Sequence, residues 1–338
     1  MSARISTGVG LLFGFLLWAS SGGSTRPPEP GDPARGPRFG DEIVVCGHTF
    51  HTGTRVVLWA DEGGYDAYST TARFGPRTGA SAPPDGKRRF HPGRRHGEDA
   101  YLVEPGSNDL DALSATVDQF VLHYDACGTS RRCFEILHDV RGLSVHFLLD
   151  TDGTIYQTLD LRERAWHAAH ANTRSVGVEI AHPGSVEARA EVRVTGLESW
   201  YAEDAQGPVM VPPAYLGPTG IRTRNFVIRP ARSERIEGLA QGVLHVQYDY
   251  TPQQYEALAH LTASLHRVLP RILVQAPRDA QGIVETSELP TERQDVTHGL
   301  VGHQHVSVFK TDPGPAFDWE RLLTRTNELL HPPDAAEQ

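Results

Sequence analysis

Short apolar runs separated by turn residues recur along the chain, and their lengths are typical of buried β-strands. The stretch Asp150-Thr-Asp-Gly153 lies between two of these runs, and Asp-Gly in that position predicts a β-hairpin. Another short run, Leu300 and Val301, leads into Gly302 and His303. In the central part of the chain, the predicted strands are Phe120–His123, Ser144–Leu149, Thr154–Thr158 and Ser175–Ile180.

Three segments have the spacing of apolar residues that is typical of helices. In the clearest one, Thr251 is a suitable N-cap and Pro252 suits the first helical position, so we predict a helix that ends near Leu269. A closing amphipathic helix is predicted for Trp319–Leu330, and a shorter helix for Phe134–Val140. The apolar stripe of the clearest helix consists of Tyr255, Leu258, Leu261, Leu265 and Val268.

These elements predict an α/β fold, with a mixed central β-sheet flanked by helices in a single domain over residues 111–330. Residues 183–249 have β-rich patches of their own, separated by Gly and Pro. We therefore interpret them as a long insertion carried by the domain. Residues 331–338 are interpreted as a tail.

The segment before this domain, residues 41–110, is interpreted as a small β-containing N-terminal extension. Two short runs in it, Ile43–Cys46 and Val56–Trp59, are rich in β-branched residues. The residues at 51–54 suit a turn, so the two runs are predicted to pair as a hairpin.

The first residues of the chain, 1–25, have the three parts of an export signal. Arg4 supplies the positive start, Val9–Trp18 the apolar run, and the segment that begins at Ala19 the small residues for cleavage. The apolar run is too short to span a membrane comfortably. Export to the periplasm, or to the extracellular side or cell envelope, is therefore expected, with no membrane insertion after cleavage. An uncleaved N-terminal anchor is the alternative. Residues 26–40 are rich in Pro and Gly and are interpreted as a linker.

Composition narrows the choice of partners. The chain has 338 residues and a formal net charge of -10, which argues against a broad basic surface for nucleic acid. Its 17 histidines allow metal or proton chemistry without demonstrating either.

The three cysteines form no Cys-x-x-Cys pair, which excludes a thiolate zinc finger. Cys127 and Cys133 are near enough in sequence to close a small loop. An oxidising compartment would favour a disulfide between them, and a reducing one two free thiols. Cys46 would remain as a small buried residue.

Polar residues terminate several predicted strands, namely His123, Glu179 and His303. Lys310 and Asp312 follow on a stretch that Pro313-Gly314-Pro315 keeps from continuing as a helix or central strand. Two imidazoles and one carboxylate are a usual ligand set for catalytic zinc. Spacing alone does not bring these residues together, and the competing interpretation is that they are ordinary polar residues.

Five segments of the chain, in order and over roughly residues 115–325, resemble the zinc-dependent N-acetylmuramoyl-L-alanine amidase family. No single segment is specific, but the set is. They are Val121-Leu-His-Tyr; Ser144-Val-His-Phe with Asp152-Gly-Thr-Ile-Tyr; Arg164-Ala-Trp-His-Ala; Ser175-Val-Gly-Val-Glu-Ile; and Gly302-His303 with Lys310-Thr-Asp-Pro-Gly-Pro-Ala-Phe-Asp-Trp.

The resemblance implies a zinc ion (Zn2+) held by His123, His303 and Asp312. It implies that Glu179 is the catalytic acid and base, and that Lys310 stabilises an oxyanion. The spacing of the two later cysteines also resembles a small disulfide loop, Cys127–Cys133, found in one branch of the family. The residues assigned to the substrate groove are Trp166, His167 and His146, the last as a packed histidine rather than a ligand.

The chain departs from the family pattern in two places. His305 stands where the family often has Asp, and residues 183–249 are unusually long. Residues before about 110 lie outside the resemblance. The substrate preference therefore stays open.

The resemblance implies hydrolysis of the amide between N-acetylmuramic acid and L-alanine in peptidoglycan or muropeptides. A module that binds peptidoglycan without cutting it is the alternative, and another exported zinc amidohydrolase is a weaker one. The complete ligand set favours the enzyme.

Overall fold

The computed structural model of the protein describes residues 28–75 and 86–332. The strands are β1 (Glu42–Val45), β2 (His48–His51), β3 (Val56–Leu58), β4 (Phe90–His91), β5 (Gln119–Tyr124), β6 (Phe147–Leu149), β7 (Ile155–Gln157), β8 (Arg164–Ala165), β9 (Ser175–Ile180), β10 (Val186–Glu187), β11 (Tyr201–Asp204), β12 (Gly207–Met210), β13 (Ile236–Ala240), β14 (Val243–Gln247) and β15 (Gly299–Gly302).

The helices are α1 (Leu110–Thr116), α2 (Ser130–Phe134), α3 (Glu191–Glu198), α4 (Pro252–Val268), α5 (Thr291–Val296), α6 (His303–Val306) and α7 (Trp319–Leu330). A π-helical segment, Glu135–Arg141, continues α2, and short 3-10 turns occur at Ala169–Thr173 and Ala214–Leu216. The predicted sheet and helices are confirmed, although some strands are shorter than expected.

The central sheet is mixed and has the strand order β15-β5-β9-β6-β7-β3. The first four strands are parallel to one another, β7 returns antiparallel to β6, and β3 lies parallel to β7. Side chains alternate between the two faces of the sheet. Phe120 and Leu122 of β5 pack in the core that also contains α4 and α7, whereas Val121 belongs to a small cluster on the other face.

Helix α4 forms as the sequence predicts. The Thr251 hydroxyl accepts a hydrogen bond from the Gln254 backbone N–H, and the Gln254 side chain accepts one from the Thr251 N–H. This reciprocal capping box satisfies two N–H groups that a helix start leaves unpaired, and a cap of this kind is worth about 1 kcal/mol. The stripe from Tyr255 to Val268 is buried against the sheet.

The predicted N-terminal hairpin is wrong. Strand β1 pairs with β2 through a tight turn at Cys46 and Gly47, which both have positive φ. Strand β3 leaves this hairpin and becomes an edge strand of the central sheet. All three residues of β3 are apolar and buried. They lack the alternation of apolar and polar residues that is typical of a hairpin strand with one face exposed to solvent. Residues before 110 therefore complete the central sheet.

Residues 183–249 fold into two small antiparallel sheets, β10-β14-β13 and β11-β12, together with α3. The β-rich patches seen in the sequence are confirmed. Residues 1–25, where the export signal is predicted, lie outside the described residues. Within the described ranges, none of the helices combines the length and apolar character needed to cross a bilayer.

Asp150, at the turn after β6, is a buried carboxyl group in this fold. One carboxyl oxygen accepts a hydrogen bond from the Thr151 N–H at 2.8 Å, and the other, Oδ2, has no hydrogen-bond partner within residues 28–75 and 86–332. Burial raises the pKa of Asp150 to about 8, because the charged form loses its hydration. The neutral acid is therefore the form that the fold accommodates.

We predict that Asp150 makes the fold less stable as pH rises. The unfolded group releases its proton near pH 4 and the folded group only near pH 8, so its stabilising contribution is present below pH 4 and is lost progressively up to about pH 8. One proton limits the slope to about 1.4 kcal/mol per pH unit. Urea unfolding of Asp150→Asn between pH 5 and pH 8 should show a shallower decline than wild type. Asp99→Asn, at an exposed carboxylate, is the control. An unchanged slope in Asp150→Asn would contradict the prediction.

Candidate metal centre and active site

Three adjacent parallel strands bring distant polar residues to one edge of the sheet. His123 on β5 lies beside Glu179 on β9 in the strand register. On the other side, β15 pairs with β5 so that Gly302 is level with Leu122, and His303 follows directly. Because the carboxyl ends of parallel strands meet at the same edge, these side chains become neighbours although about 180 residues separate the two histidines.

A loop returns Asp312 to the same place. The Gln304 N–H donates a hydrogen bond to the Asp312 carbonyl at 2.9 Å, which closes the segment between α6 and the prolines. Gly302 permits this close approach, because a Cβ there would lie 2.6 Å from Pro313 Cδ. The loop thus ends with the Asp312 carboxylate against both histidines.

The three expected ligand atoms converge. His123 Nδ1 lies 2.9 Å from His303 Nδ1 and 3.0 Å from Asp312 Oδ2, and His303 Nδ1 lies 3.0 Å from the same oxygen. Zinc binds such atoms at about 2.1 Å, so tetrahedral ligands lie about 3.4 Å apart. All three residues are buried, and this donor set fits one zinc ion.

Electrostatics favour a cation at this position. Burial lowers the pKa of His123 to about 4, and the neighbouring His303 adds to the effect, so the imidazole is neutral. Burial alone would raise the pKa of Asp312, but His303 and His123 hold it well below its usual range. Metal ligands must be deprotonated, and here a neutral imidazole and a carboxylate already are.

His167 contacts His123, the first of the expected ligands. Its Nδ1 lies 3.0 Å from His123 Nε2, and its Nε2 lies 3.3 Å from the Ser175 hydroxyl. Such a contact fixes the ring of a metal-binding histidine and the tautomer that it adopts. His167 also lines the pocket beside the ligands. The residue expected in the substrate groove therefore touches both the ligand and the pocket.

His146 is placed elsewhere. Its Nδ1 accepts a hydrogen bond from the Gly177 N–H at 3.1 Å, and its Nε2 lies 3.0 Å from the Glu163 carbonyl oxygen. The ring is fully buried, and burial lowers its pKa to about 3. His146 does not line the pocket. It packs against β9 as a neutral, buried ring.

His305 also faces away from the ligands. The Gly302 N–H donates to its Nδ1 at 2.9 Å, and its Nε2 lies 2.6 Å from the Glu285 carbonyl oxygen. Its role in the structure is to hold the start of α6, which carries His303.

The ligand atoms open into a pocket of about 290 Å³. Glu179, Lys310 and Trp166 line it, as expected from the sequence. Burial raises the pKa of Glu179 well above its usual value, and the charge of Asp312 raises it further, while Lys310 opposes the shift. A carboxyl group that readily holds a proton and an ammonium group therefore share one wall with the ligands.

The cysteines correct one expectation. Cys127 and Cys133 both line the pocket, and the thiol of Cys127 is within hydrogen-bonding contact of Cys133. The structure has both as free thiols, so the expected Cys127–Cys133 disulfide is absent from it. Of the two alternatives that the sequence left open, the structure contains the pair of thiols.

Sequence reasoning missed several residues that shape the site. Arg141, Phe309 and Tyr124 line the pocket. Tyr124 directly follows a predicted ligand, which was a usable signal, whereas Arg141 and Phe309 lie in segments without a distinctive pattern. Tyr124 also contacts the loop, since its hydroxyl lies 2.5 Å from Thr311 Oγ1.

Arg94, from the segment before residue 110, was missed as well. Its buried guanidinium donates hydrogen bonds to the carbonyl oxygens of Leu161, Asn172, Thr173 and Ser175. These groups flank the stretch that carries Trp166 and His167. The N-terminal segment therefore helps to hold the pocket wall in place.

No curated protein matches the chain. A crystal structure of a selenomethionine derivative of AmpD is 18% identical over 63% of this chain and 86% of its own, with a TM-score of 0.30. The endolysin amidase LysCS from Clostridium intestinale URNW is 16% identical over 64% and 86%, with a TM-score of 0.34. AmiD from E. coli, in complex with an anhydro-muramyl peptide substrate, is 18% identical over 69% and 61%, with a TM-score of 0.33.

The model of the N-acetylmuramoyl-L-alanine amidase family matches residues 113–315, which is more than half of the chain. The matched range contains every converging residue of the site, from His123 to Asp312. This chain belongs to the N-acetylmuramoyl-L-alanine amidase family.

Proposed function

We propose that the protein is a zinc-dependent amidase that hydrolyses the bond between N-acetylmuramic acid and L-alanine in peptidoglycan or muropeptides. The observation that carries this proposal is the convergence of two histidine nitrogens and one aspartate oxygen within about 3 Å of one another at a pocket that also holds Glu179. The signal-like residues 1–25 support export, to the periplasm or to the extracellular side or cell envelope.

His123, His303 and Asp312 are the residues that would hold zinc. When bound, zinc supplies Lewis-acid chemistry, in which it lowers the pKa of water and polarises a carbonyl group. Burial favours the neutral imidazole of His123, which is the form that can bind a metal ion. His167 keeps His123 in the orientation that presents Nδ1 to the pocket.

Glu179 is the proposed acid and base. Its carboxylate takes a proton from the attacking water, and its carboxylic acid then gives that proton to the leaving amine of L-alanine. Proton transfer in both directions requires a pKa nearer neutrality than that of an exposed glutamate, and burial shifts Glu179 in that direction.

Lys310 is the proposed oxyanion partner. The attacked amide carbon becomes tetrahedral and its oxygen gains negative charge, which an ammonium group at the pocket wall stabilises. Trp166 offers a partly exposed ring on the wall of the same pocket, where a sugar or peptide can pack.

A peptidoglycan-binding module without activity is the second candidate, and a different zinc amidohydrolase is a third. The complete donor triad favours an enzyme, because a groove that only bound a sugar-peptide would not require three metal-binding atoms within about 3 Å of one another. Glu179 beside the triad supports the same choice.

Gly177 on β9 lies directly beneath His167. A Cβ at this position would lie 2.5 Å from both Nδ1 and Cε1 of the His167 ring. No real side chain tolerates such a contact, and the ring is enclosed by its contacts with His123 and Ser175. Glycine is therefore needed here for the ring to reach His123.

We predict that the purified protein contains one zinc ion per chain and that Asp312→Ala loses it. The substitution leaves two histidines, which hold zinc far less tightly than the full set. Metal analysis after dialysis and zinc-dependent thermal shifts are the measurements. Asp295→Ala, at an exposed carboxylate on α5, should retain zinc. Equal zinc content in Asp312→Ala and wild type would rule out the proposed ligand set.

We predict that Glu179→Gln binds peptidoglycan but releases peptide about 10²- to 10⁴-fold more slowly, the usual contribution of a general acid or base. Release of peptides with a free L-alanine N-terminus from purified peptidoglycan measures the rate, and a sedimentation assay measures binding. Glu191→Gln, at an exposed residue at the start of α3, should behave as wild type. If the wild type binds the wall but never cuts it, the binding module is the correct function.

We predict that Gly177→Ala weakens zinc binding by about 10- to 100-fold, because the displaced His167 no longer supports His123. Overpacking should also lower the free energy of unfolding by about 1–3 kcal/mol. Gly196→Ala is the matched control, since a Cβ there meets nothing within 4 Å, and it should leave both quantities unchanged or raise stability slightly. Zinc competition with a chelator is the measurement, and wild-type affinity in Gly177→Ala would refute the role of His167.

A further inference from the structure

The turn between β13 and β14 contains an unusual residue. Gln241 and Gly242 form this two-residue turn, with φ of +53° and +73°. Turns of this type place both central residues in the left-handed region, where Gly, Asn and Asp are usual. A glutamine is strained there, because its Cβ approaches the backbone. Strained backbone of this kind persists where surrounding contacts hold it, often near functional sites.

The Gln241 side chain reaches the ligand-bearing loop. Its Nε2 lies within hydrogen-bonding distance of three carbonyl oxygens, those of Gln304 at 2.8 Å, Lys310 at 2.8 Å and Ser307 at 3.1 Å. Its Oε1 accepts a hydrogen bond from the Glu288 N–H at 3.0 Å. The carbonyl groups all belong to the segment between His303 and Asp312.

The same hairpin holds the loop beyond Asp312. Gln247 at the end of β14 donates a hydrogen bond to the Pro313 carbonyl at 3.0 Å and accepts one from the Ala316 N–H at 2.9 Å. Gly238 on β13 packs so closely on Pro315 that a Cβ would lie 2.8 Å from the proline Cβ. The β13–β14 hairpin thus contacts the loop on both sides of the third ligand.

The loop has little packing of its own near Lys310. Phe309 is 90% exposed and Val308 is 50% exposed, so apolar burial contributes little to its position. A segment of this kind depends on its hydrogen bonds for order. The Gln241 amide supplies hydrogen bonds at both ends of the stretch, at Gln304 and at Lys310.

We propose that Gln241 is a positioning residue for the amidase reaction, which acts by fixing the backbone from which Lys310 extends into the pocket. The inference rests on the proposed function and adds a role for residues 183–249. Those residues would then contribute to catalysis because Gln241 holds Lys310, the proposed oxyanion partner, in place. Gln241 itself would not contact the substrate.

Gln241→Asn and Gln241→Gly test this role without disturbing the turn. Both residues suit a left-handed turn, so the thermal midpoint should stay at the wild-type value or rise, while neither side chain can span the three carbonyl groups. We expect kcat for peptide release to fall about 10- to 100-fold with little change in KM, as for a small misplacement of a catalytic group. Gln206→Asn, at the exposed tip of the β11–β12 hairpin, is the control and should keep wild-type kcat.

A double-mutant comparison separates positioning from general stability. If Gln241 acts through Lys310, then adding Gln241→Asn to Lys310→Met should lower kcat no further. Additive losses, or a loss of the thermal midpoint in both Gln241 variants, would overturn the proposal in favour of a purely structural role.

Amide hydrogen exchange gives a readout that is independent of activity. The Lys310 N–H donates to the Ser307 carbonyl at 3.1 Å, and its exchange should accelerate at least about 10-fold in Gln241→Asn relative to wild type and Gln206→Asn. Unchanged exchange would overturn the inference even if the protein is an amidase. If the wild type never releases peptide, both the proposed function and the catalytic role of Gln241 are overturned. If the wild type and Gln241→Asn are equally active, only the role of Gln241 is overturned.

Discussion

The constraint on which the site depends is the parallel alignment of β15, β5 and β9. Each strand ends at the same edge of the sheet. His123 and Glu179 lie near the ends of β5 and β9, and His303 directly follows β15. Parallel pairing in a buried sheet cannot slip by one residue without turning every side chain to the opposite face. The apolar neighbours of His123, which belong to the core on one side, therefore also fix the direction in which His123 points.

A second consequence of this alignment is the concentration of charge. The Asp312 carboxylate lies between two imidazoles at about 3 Å, with a second carboxyl group, Glu179, lining the same pocket. A buried, isolated charge is unfavourable because it loses its hydration. The buried carboxylate is therefore stable only with partners, which neutral histidines and a bound cation would provide. Both residues are buried at the same pocket. Burial keeps His123 neutral, and it also raises the pKa of Glu179. The proposed metal binding and the proposed proton transfer would therefore depend on the same low-dielectric pocket.

The elements outside the three strands support the site in different ways. Arg94 ties together the backbone that flanks Trp166 and His167, and β3 extends the far edge of the sheet. The β13–β14 hairpin holds the loop from α6 to the prolines through Gln241 and Gln247. Arg94 and β3 belong to the segment before residue 110, which lies outside the family resemblance. The β13–β14 hairpin belongs to residues 183–249, the unusually long segment.

The amino-acid sequence by itself determined the local features of this protein. The capping box at Thr251, the Asp-Gly turn before β7, the extent of β9 and the span of α7 follow from interactions between near neighbours, and each was predictable. The candidate ligands were identified only through several motifs considered together, and the structure brings their donor atoms within about 3 Å of one another. Tertiary structure alone decided which apolar run pairs with which, so β3 joined β7 instead of β1, and Cys127 and Cys133 lie side by side as thiols. Contacts such as Gln241 with the Lys310 carbonyl leave no periodic signal, because they join surfaces that meet only when the whole chain has folded.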